Sequence, residues 1–276
     1  MWISTCATDL DVQCRIMVEI IVIPDVHGRT FWKDAIAKRE ENTHIVFLGD
    51  YLDPYETENI SYEEALANFK EILKFKETHH QNTSLLLGNH DIHYISTYPN
   101  GRSTRYDSVH ASEIAKLLND NHYFFEMMFT ARIGDKTFVF SHAGINKLWV
   151  FNSAHALGID CKNEQDAGTR IDGLSVNEMF RIEAENNNLF YILSEVSYLR
   201  GGMSNAGSMI WEDISAYENE EPYLPNLVQV FGHTQMKSSP INIKNSYYDL
   251  DVRRGFMINS NGEVCELDGT VIPRTV

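Results

Sequence analysis

Residues 84–91 read SLLLGNHD. Three leucines, Leu85 to Leu87, run into Gly88 and then directly into an amide, an imidazole and a carboxylate at Asn89, His90 and Asp91. An apolar run of this length, bounded by glycine and polar residues, suits a buried strand. Polar side chains delivered at its end must meet either one another or a ligand. The same event occurs in VEIIVIPDVHG (18–28), where Ile20 to Ile23 precede Asp25 and His27, and in HIVFLGD (44–50), which ends at Asp50. It occurs again in TFVFSHAG (137–144), ending at His142, and in LVQVFGHT (227–234), ending at His233.

The intervals between the first three runs read as helices. RTFWKDAIAKRE (29–40) is a short one. SYEEALANFKEILKFKETHH (61–80) opens with a capping box, Ser61 and Glu64, and carries Ala65, Leu66, Phe69, Ile72 and Leu73 on one face. Strand, helix, strand, helix, strand predicts an α/β fold with parallel pairing and right-handed crossovers. Residues 145–210 differ. GLSVNEMFRIEAENNNLFYILSEVSYL (173–199) contains a second capping box, Ser175 and Glu178, and predicts helix broken near Asn186–Asn188. We expect this region to be a helical insertion between two core strands, placed to select substrate. The last stretch, YYDLDVRRGFMINSNGEVCELDG (247–269), alternates strand-like segments with an Asn261–Gly262 turn. The expected organisation is one domain over residues 17–276. Residues 1–16 read as a non-native extension upstream of Met17, with a short edge strand as the alternative.

Composition narrows the function. At 276 residues the chain can bury one substantial core, and its 43% apolar content is that of a globular protein. A formal net charge of −16 disfavours a nucleic-acid polymer or an anionic membrane as partner. No apolar run approaches the roughly 20 residues that cross a bilayer. The four cysteines, Cys6, Cys14, Cys161 and Cys265, form no CxxC pair, and the first 16 residues lack the basic start and apolar core of a signal peptide. Together these predict free thiols in a reducing cytoplasm.

In α/β sheets, ligands bind in the crevice outside the carboxyl ends of the strands. Asp25, His27, Asp50, Asn89, His142 and His233 would all stand there. A lone histidine at a strand end is more often a hydrogen-bonded core residue than a ligand, and DVHG or GD by itself says little. The joint occurrence carries the argument. Two carboxylates, three imidazoles and an amide oxygen exceed the needs of one tetrahedral zinc but suit two first-row divalent ions sharing a carboxylate. Burying that set with no cation would leave costly unpaired carboxylates.

DVHG (25–28), GDYLD (49–53), GNHD (88–91), SHAG (141–144) and GHT (232–234) resemble the motif set of the calcineurin-like metallophosphoesterases. GDYLD with GNHD and SHAG is most similar to the branch that holds the phosphoprotein phosphatases and the symmetrical diadenosine tetraphosphatases. The resemblance implies two β-sheets packed face to face with flanking helices. It implies two divalent ions, manganese foremost, with iron, zinc, nickel or cobalt as alternatives. Carried over by position, Asp25 and His27 would bind the first ion, Asp50 would bridge, and Asn89, His142 and His233 would bind the second. His90 matches the residue that protonates the leaving group, Asp53 matches its orienting carboxylate and would raise its pKa, and Asp91 reads as structural. The implied reaction is attack on phosphorus by a hydroxide that the two ions generate.

The pattern departs in two places. Phosphoprotein phosphatases follow the second aspartate with an arginine that grips phosphate, and here Pro54 stands there. Arg200, beside Gly201 and Gly202, is the first substitute, followed by Arg102 and Arg105, while Arg253 and Arg254 read as solvated. Many diesterases carry GHxH, and here Gln235 replaces the second histidine. The expected substrate is therefore a phosphomonoester, on a small molecule or a phosphoprotein. The alternatives are a dinucleoside polyphosphate, a phosphodiester or nucleic acid, and, from a different class, a non-catalytic scaffold. His93 is a candidate for support around the site, and Tyr51 and Tyr55 are candidates to line it. Specificity is expected to lie in the insertion and the 92–107 loop.

Overall fold

The computed structural model describes residues 15–95, 103, 105–156, 160–169 and 191–275. Each apolar run of the sequence becomes a strand. The first sheet is ordered β12 (Val264–Glu266), β11 (Phe256–Ile258), β2 (Ile20–Ile23), β3 (His44–Phe47), β4 (Thr83–Leu86) and β5 (Phe125–Glu126). The second is ordered β1 (Arg15–Ile16), β6 (Phe129–Ile133), β7 (Lys136–Phe140), β8 (Leu227–Phe231), β10 (Tyr247–Asp249) and β9 (Ile241–Ile243). β2 to β5 pair in parallel, as do β7, β8 and β10, with antiparallel strands completing both sheets.

Side-chain alternation explains why the strands are apolar on both faces. Ile20, Val22, Val46, Leu86, Phe138, Phe140, Val228 and Val230 fill the layer between the sheets. Ile21, Ile23, Ile45, Phe47, Leu85 and Val139 point the other way, into the larger core cluster that the helices cover. A strand buried on both faces has no polar face to alternate with.

Helix α1 (Phe31–Ile36) is shorter than its sequence suggested. Helix α2 (Tyr62–Thr78) starts at the predicted capping box, with Ser61 and Glu64 exchanging both hydrogen bonds, and buries Ala65, Leu66, Phe69, Ile72 and Leu73. The one-turn α3 (Asn89–Ile92) carries the motif residues after β4, and α4 (Ala111–Asp120) precedes β5. In the insertion, α5 (Lys147–Ala156) and α6 (Glu164–Gly168) are helical. The Ser175–Glu178 capping box and the Asn186–Asn188 break lie outside the described residues. The helix expected through residue 199 does not extend there: Tyr191–Ser194 and Tyr198–Arg200 are separate 3-10 turns. Ser197 turns its hydroxyl onto the Leu199 amide, and Gly202 packs where a Cβ would fall 2.1 Å from the Val196 carbonyl. Side chains that bond their own backbone compete with helix.

Arg15 and Ile16 pair with Ala131 and Arg132 at the edge of the second sheet. Among the described residues, Cys161 and Cys265 take part in no disulfide. No helix among the described residues is long and apolar enough to cross a membrane.

Candidate active site

The carboxyl ends of β2, β3 and β4 in one sheet, and of β7 and β8 in the other, open onto one crevice. The backbone bends sharply as each strand ends. His27, Asp50, Asp53 and His233 adopt φ of 44°, 52°, 57° and 72°, in the left-handed region. Aspartate and histidine tolerate that region better than most residues, at a cost of order 1–3 kcal/mol each. The motif glycines make room for the carboxylates. A Cβ on Gly88 would fall 2.1 Å from Asp50 Oδ1, and one on Gly232 would fall 2.1 Å from Asp25 Oδ1.

Backbone groups then fix which atoms face the crevice. The His90 amide donates to Asp50 Oδ1 at 2.9 Å, and the His233 amide donates to Asp25 Oδ1 at 3.0 Å. His27 Nδ1 donates to the Leu52 carbonyl at 2.8 Å, and His142 Nδ1 donates to the Leu48 carbonyl at 2.9 Å. Both imidazoles therefore turn Nε2 towards the crevice, the orientation in which metal-binding histidines are held. Asp50 Oδ2 lies 3.5 Å from each of those Nε2 atoms and so stands between them. On the far side, His142 Nε2 is 3.0 Å from Asn89 Oδ1 and 3.1 Å from His233 Nδ1. With Nδ1 of His142 donating to Leu48, its Nε2 and Asn89 Oδ1 meet as two acceptors, a contact that a cation between them would relieve.

Two ligand clusters result, Asp25–His27–Asp50 and Asp50–His142–His233, sharing Asp50, with Asn89 beside the second. All six sequence-predicted ligands are brought together and buried. Burial, and then the charge of Asp25, push the Asp50 carboxyl well above its usual range. Burial first, and then nearby cationic groups, hold His27 and His233 well below the ordinary histidine value, which keeps their lone pairs free. His233 Nε2 has no hydrogen-bond partner among the described residues. A buried O/N donor set in two clusters sharing one carboxylate fits two divalent ions.

Beside the clusters, His90 Nδ1 bonds Asp53 Oδ2 at 2.7 Å, and His93 Nε2 approaches the same oxygen at 2.9 Å with a poorer angle. Tyr94 donates its hydroxyl to Asp53 Oδ1, and Ser103 reaches Oδ2 at 3.3 Å. Burial would raise the Asp53 carboxyl, but the two imidazoles outweigh it and bring it down to about 2. Asp53 was expected to raise the pKa of His90. It does push upward, yet burial dominates and, with Arg105 and His93, brings His90 down to about 4.

Arg105 comes from the 92–107 loop and stacks on Tyr55, its guanidinium carbon 3.7 Å from the ring centre. One nitrogen bonds the Asp53 carbonyl, and another lies 3.0 Å from His90 Nε2. Arg200 stands near His233 and pairs with Asp213 at 3.3 Å. Arg102 lies outside the described residues. Arg253 and Arg254 are paired, not merely solvated: Arg253 joins Arg29 on Glu58, and Arg254 grips Glu266. Tyr51 does not line the site, since it is fully buried and donates to the Leu86 carbonyl. Asp91 is structural as expected, accepting from the amides of Gly88, Asp50 and Tyr51 at 2.7–2.9 Å.

A family model described as calcineurin-like phosphoesterase matches residues 18–236. The chain belongs to the calcineurin-like phosphoesterases. This phosphoesterase is thus a metal-dependent hydrolase of phosphoric esters, and its shared-aspartate clusters point to a dinuclear divalent metal site. No curated protein matches it. Among solved structures it is similar to a cold-active protein tyrosine phosphatase at 16% identity, with 92% of this chain and 78% of that one covered and a TM-score of 0.47. It is also similar to a protein serine/threonine phosphatase from Saccharomyces cerevisiae at 12% identity, with 90% and 74% covered and a TM-score of 0.42. The phosphatase domain of the Legionella effector WipB is 17% identical, with 57% and 59% covered and a TM-score of 0.32.

Proposed function

We propose that the phosphoesterase acts on phosphomonoesters, with Asp25, His27, Asp50, Asn89, His142 and His233 holding two divalent ions, manganese foremost. When bound, such ions neutralise phosphoryl oxygens and supply hydroxide near neutral pH. The observation that carries the monoester reading is the position of Arg105. Its guanidinium is stacked on Tyr55, anchored on the Asp53 carbonyl and in contact with His90. That is the planar, two-pronged donor that a terminal phosphoryl group requires and that Pro54 cannot provide.

His90 is the proton donor in this reading. Asp53 takes the Nδ1 hydrogen and so fixes Nε2 as the atom facing the substrate. In the free protein, burial above all keeps the imidazole neutral, and Arg105 donates to its Nε2. A phosphate that drew Arg105 away would free Nε2 to carry the proton that the leaving oxygen needs. Gln235 in place of a second histidine and the net charge of −16 favour monoesters over nucleic-acid diesters. The substrate carrier is then a small molecule or a phosphoprotein, in the cytoplasm.

The test is turnover by metal-stripped protein with and without Mn²⁺, on a chromogenic monoester and the matching diester, with Asp50→Asn as control. Metal-dependent monoester turnover that the variant loses supports the proposal. Faster diester turnover overturns it, and metal binding without turnover of either ester moves the reading to a dinucleoside polyphosphate or a scaffold.

A further inference from the structure

Strand β10 also ends at the crevice. It runs parallel to β8, and the Leu250 amide donates to the Phe231 carbonyl, so Asp249–Leu250–Asp251 passes alongside the Gly232–His233 turn. Leu250 packs into the layer between the sheets, so alternation turns Asp249 and Asp251 to the other side. Gly232 separates two carboxylates there: a Cβ on it would lie 2.1 Å from Asp25 Oδ1 and 3.7 Å from the Asp251 Cβ.

Asp251 is 0% exposed, and neither carboxylate oxygen has a hydrogen-bond partner among the described residues. Asp91 shows the contrast: it is as deeply buried but receives three backbone amides. The nearby arginines make no hydrogen bond to Asp251: Arg29 donates to Glu58 and to the Asp25 carbonyl, and Arg253 donates to Glu58. Burial and the neighbouring Asp25 push the Asp251 carboxyl well above its usual range. A buried carboxylate with every lone pair unmet must take up a proton or face a cation. Gln235 adds a second orphan at the same place. Its Nε2 is buried and unpartnered, and the next amide, of Met236, donates to the Asp251 carbonyl.

We propose that Asp251 is an outer carboxylate of the cation site built on Asp25 and His27. It lies outside the cluster whose ligand atoms stand within 4.8 Å of one another, so it acts by supplying negative charge and an acceptor, not as a direct ligand. Outer partners of this kind typically change metal affinity by 10–100-fold. The proposal rests on the two-ion reading above.

Calorimetric titration of Mn²⁺ into metal-stripped wild type, Asp251→Asn and Asp249→Asn tests it, with melting temperatures taken in chelator and in Mn²⁺. The expected result is two sites in the wild type, with one of them weakened ~10–100-fold in Asp251→Asn and the other little changed. In chelator, Asp251→Asn should melt no lower than wild type, and its gain on adding Mn²⁺ should be smaller. Unchanged affinity at both sites overturns the assignment. So does failure of both Asp251→Asn and Asp251→Ser to fold without metal, which would make the residue structural. A wild type that binds no Mn²⁺ overturns the two-ion reading and this inference with it.

Discussion

Asp53 Oδ2 serves two imidazoles at once, at 2.7 Å from His90 and 2.9 Å from His93. His93 also stacks edge-on against Tyr94 and Tyr106, so it is a rigid prop on the carboxylate that bonds His90. If His90 protonates the leaving oxygen, support of this kind matters most when the leaving group is poor. His93→Phe keeps the ring contacts and removes the nitrogen. It should slow turnover of an alkyl phosphate about 10-fold, below the ~10²–10⁴-fold span of proton transfer itself, with KM little altered. Hydrolysis of p-nitrophenyl phosphate, whose leaving group needs no proton, should hardly change. An equal loss on both esters would reduce His93 to a fold-holding residue. Gly88 is decided by space alone. In Gly88→Ala the new methyl meets Asp50 Oδ1, so the carboxylate must shift, and Mn²⁺ affinity should fall together with about 1–3 kcal/mol of stability in denaturant titration.

Elements were legible in the sequence where one physical signal dominated. Runs such as Ile20–Ile23 are apolar on both faces because both faces are buried, and α2 announced itself through its capping box and its apolar stripe. The six residues that meet in the crevice were readable because each follows such a run. Asp251 was not, because YYDLDV mixes its carboxylates into an alternating strand end with no glycine motif beside it. Ser103 and Tyr94 reach Asp53 only through the tertiary fold, so no spacing could flag them. Residues 191–200 misled because their apolar spacing fits a helix, while Ser197 and the Gly201–Gly202 pair impose turns. The cap of α2 is testable: Ser61→Ala should cost about 0.5–2 kcal/mol in denaturant midpoint and leave kcat unchanged. Glu58 joins Arg29, from the segment after β2, to Arg253, from the loop after β10. Burial acts to raise its carboxyl, but the two arginines outweigh it and hold it below the usual range. A depressed pKa gives stability that is present above the unfolded value and is lost as pH falls through the folded one. The stability gap between wild type and Glu58→Gln should therefore be open at neutral pH and close in acid, below the ordinary glutamate range.

On the scale of the whole molecule, the crevice is where the two sheets are tied by polar links rather than by packing alone. His142 of the second sheet donates to Leu48 of the first, and the His233 amide reaches across to Asp25. Around these links lie Asp25, Asp50 and Asp251, whose charges repel, in a chain that already carries a net charge of −16. Bound dications would offset that repulsion and pull both sheets onto Asp50. The opposite situation holds for the β11–β12 hairpin, which Phe256, Ile258 and Val264 anchor in the apolar layer. Chelation should therefore loosen the molecule unevenly. Hydrogen exchange should quicken at residues 48–53, 88–93, 142–144 and 232–234 and stay near its metal-bound rate at 256–266, because local opening follows the free energy lost locally. A uniform rise across both regions would mean that metal stabilises the fold as one cooperative unit. No change anywhere would mean that the carboxylates are neutralised by protons in the metal-free protein, which repeating the exchange several pH units higher would expose.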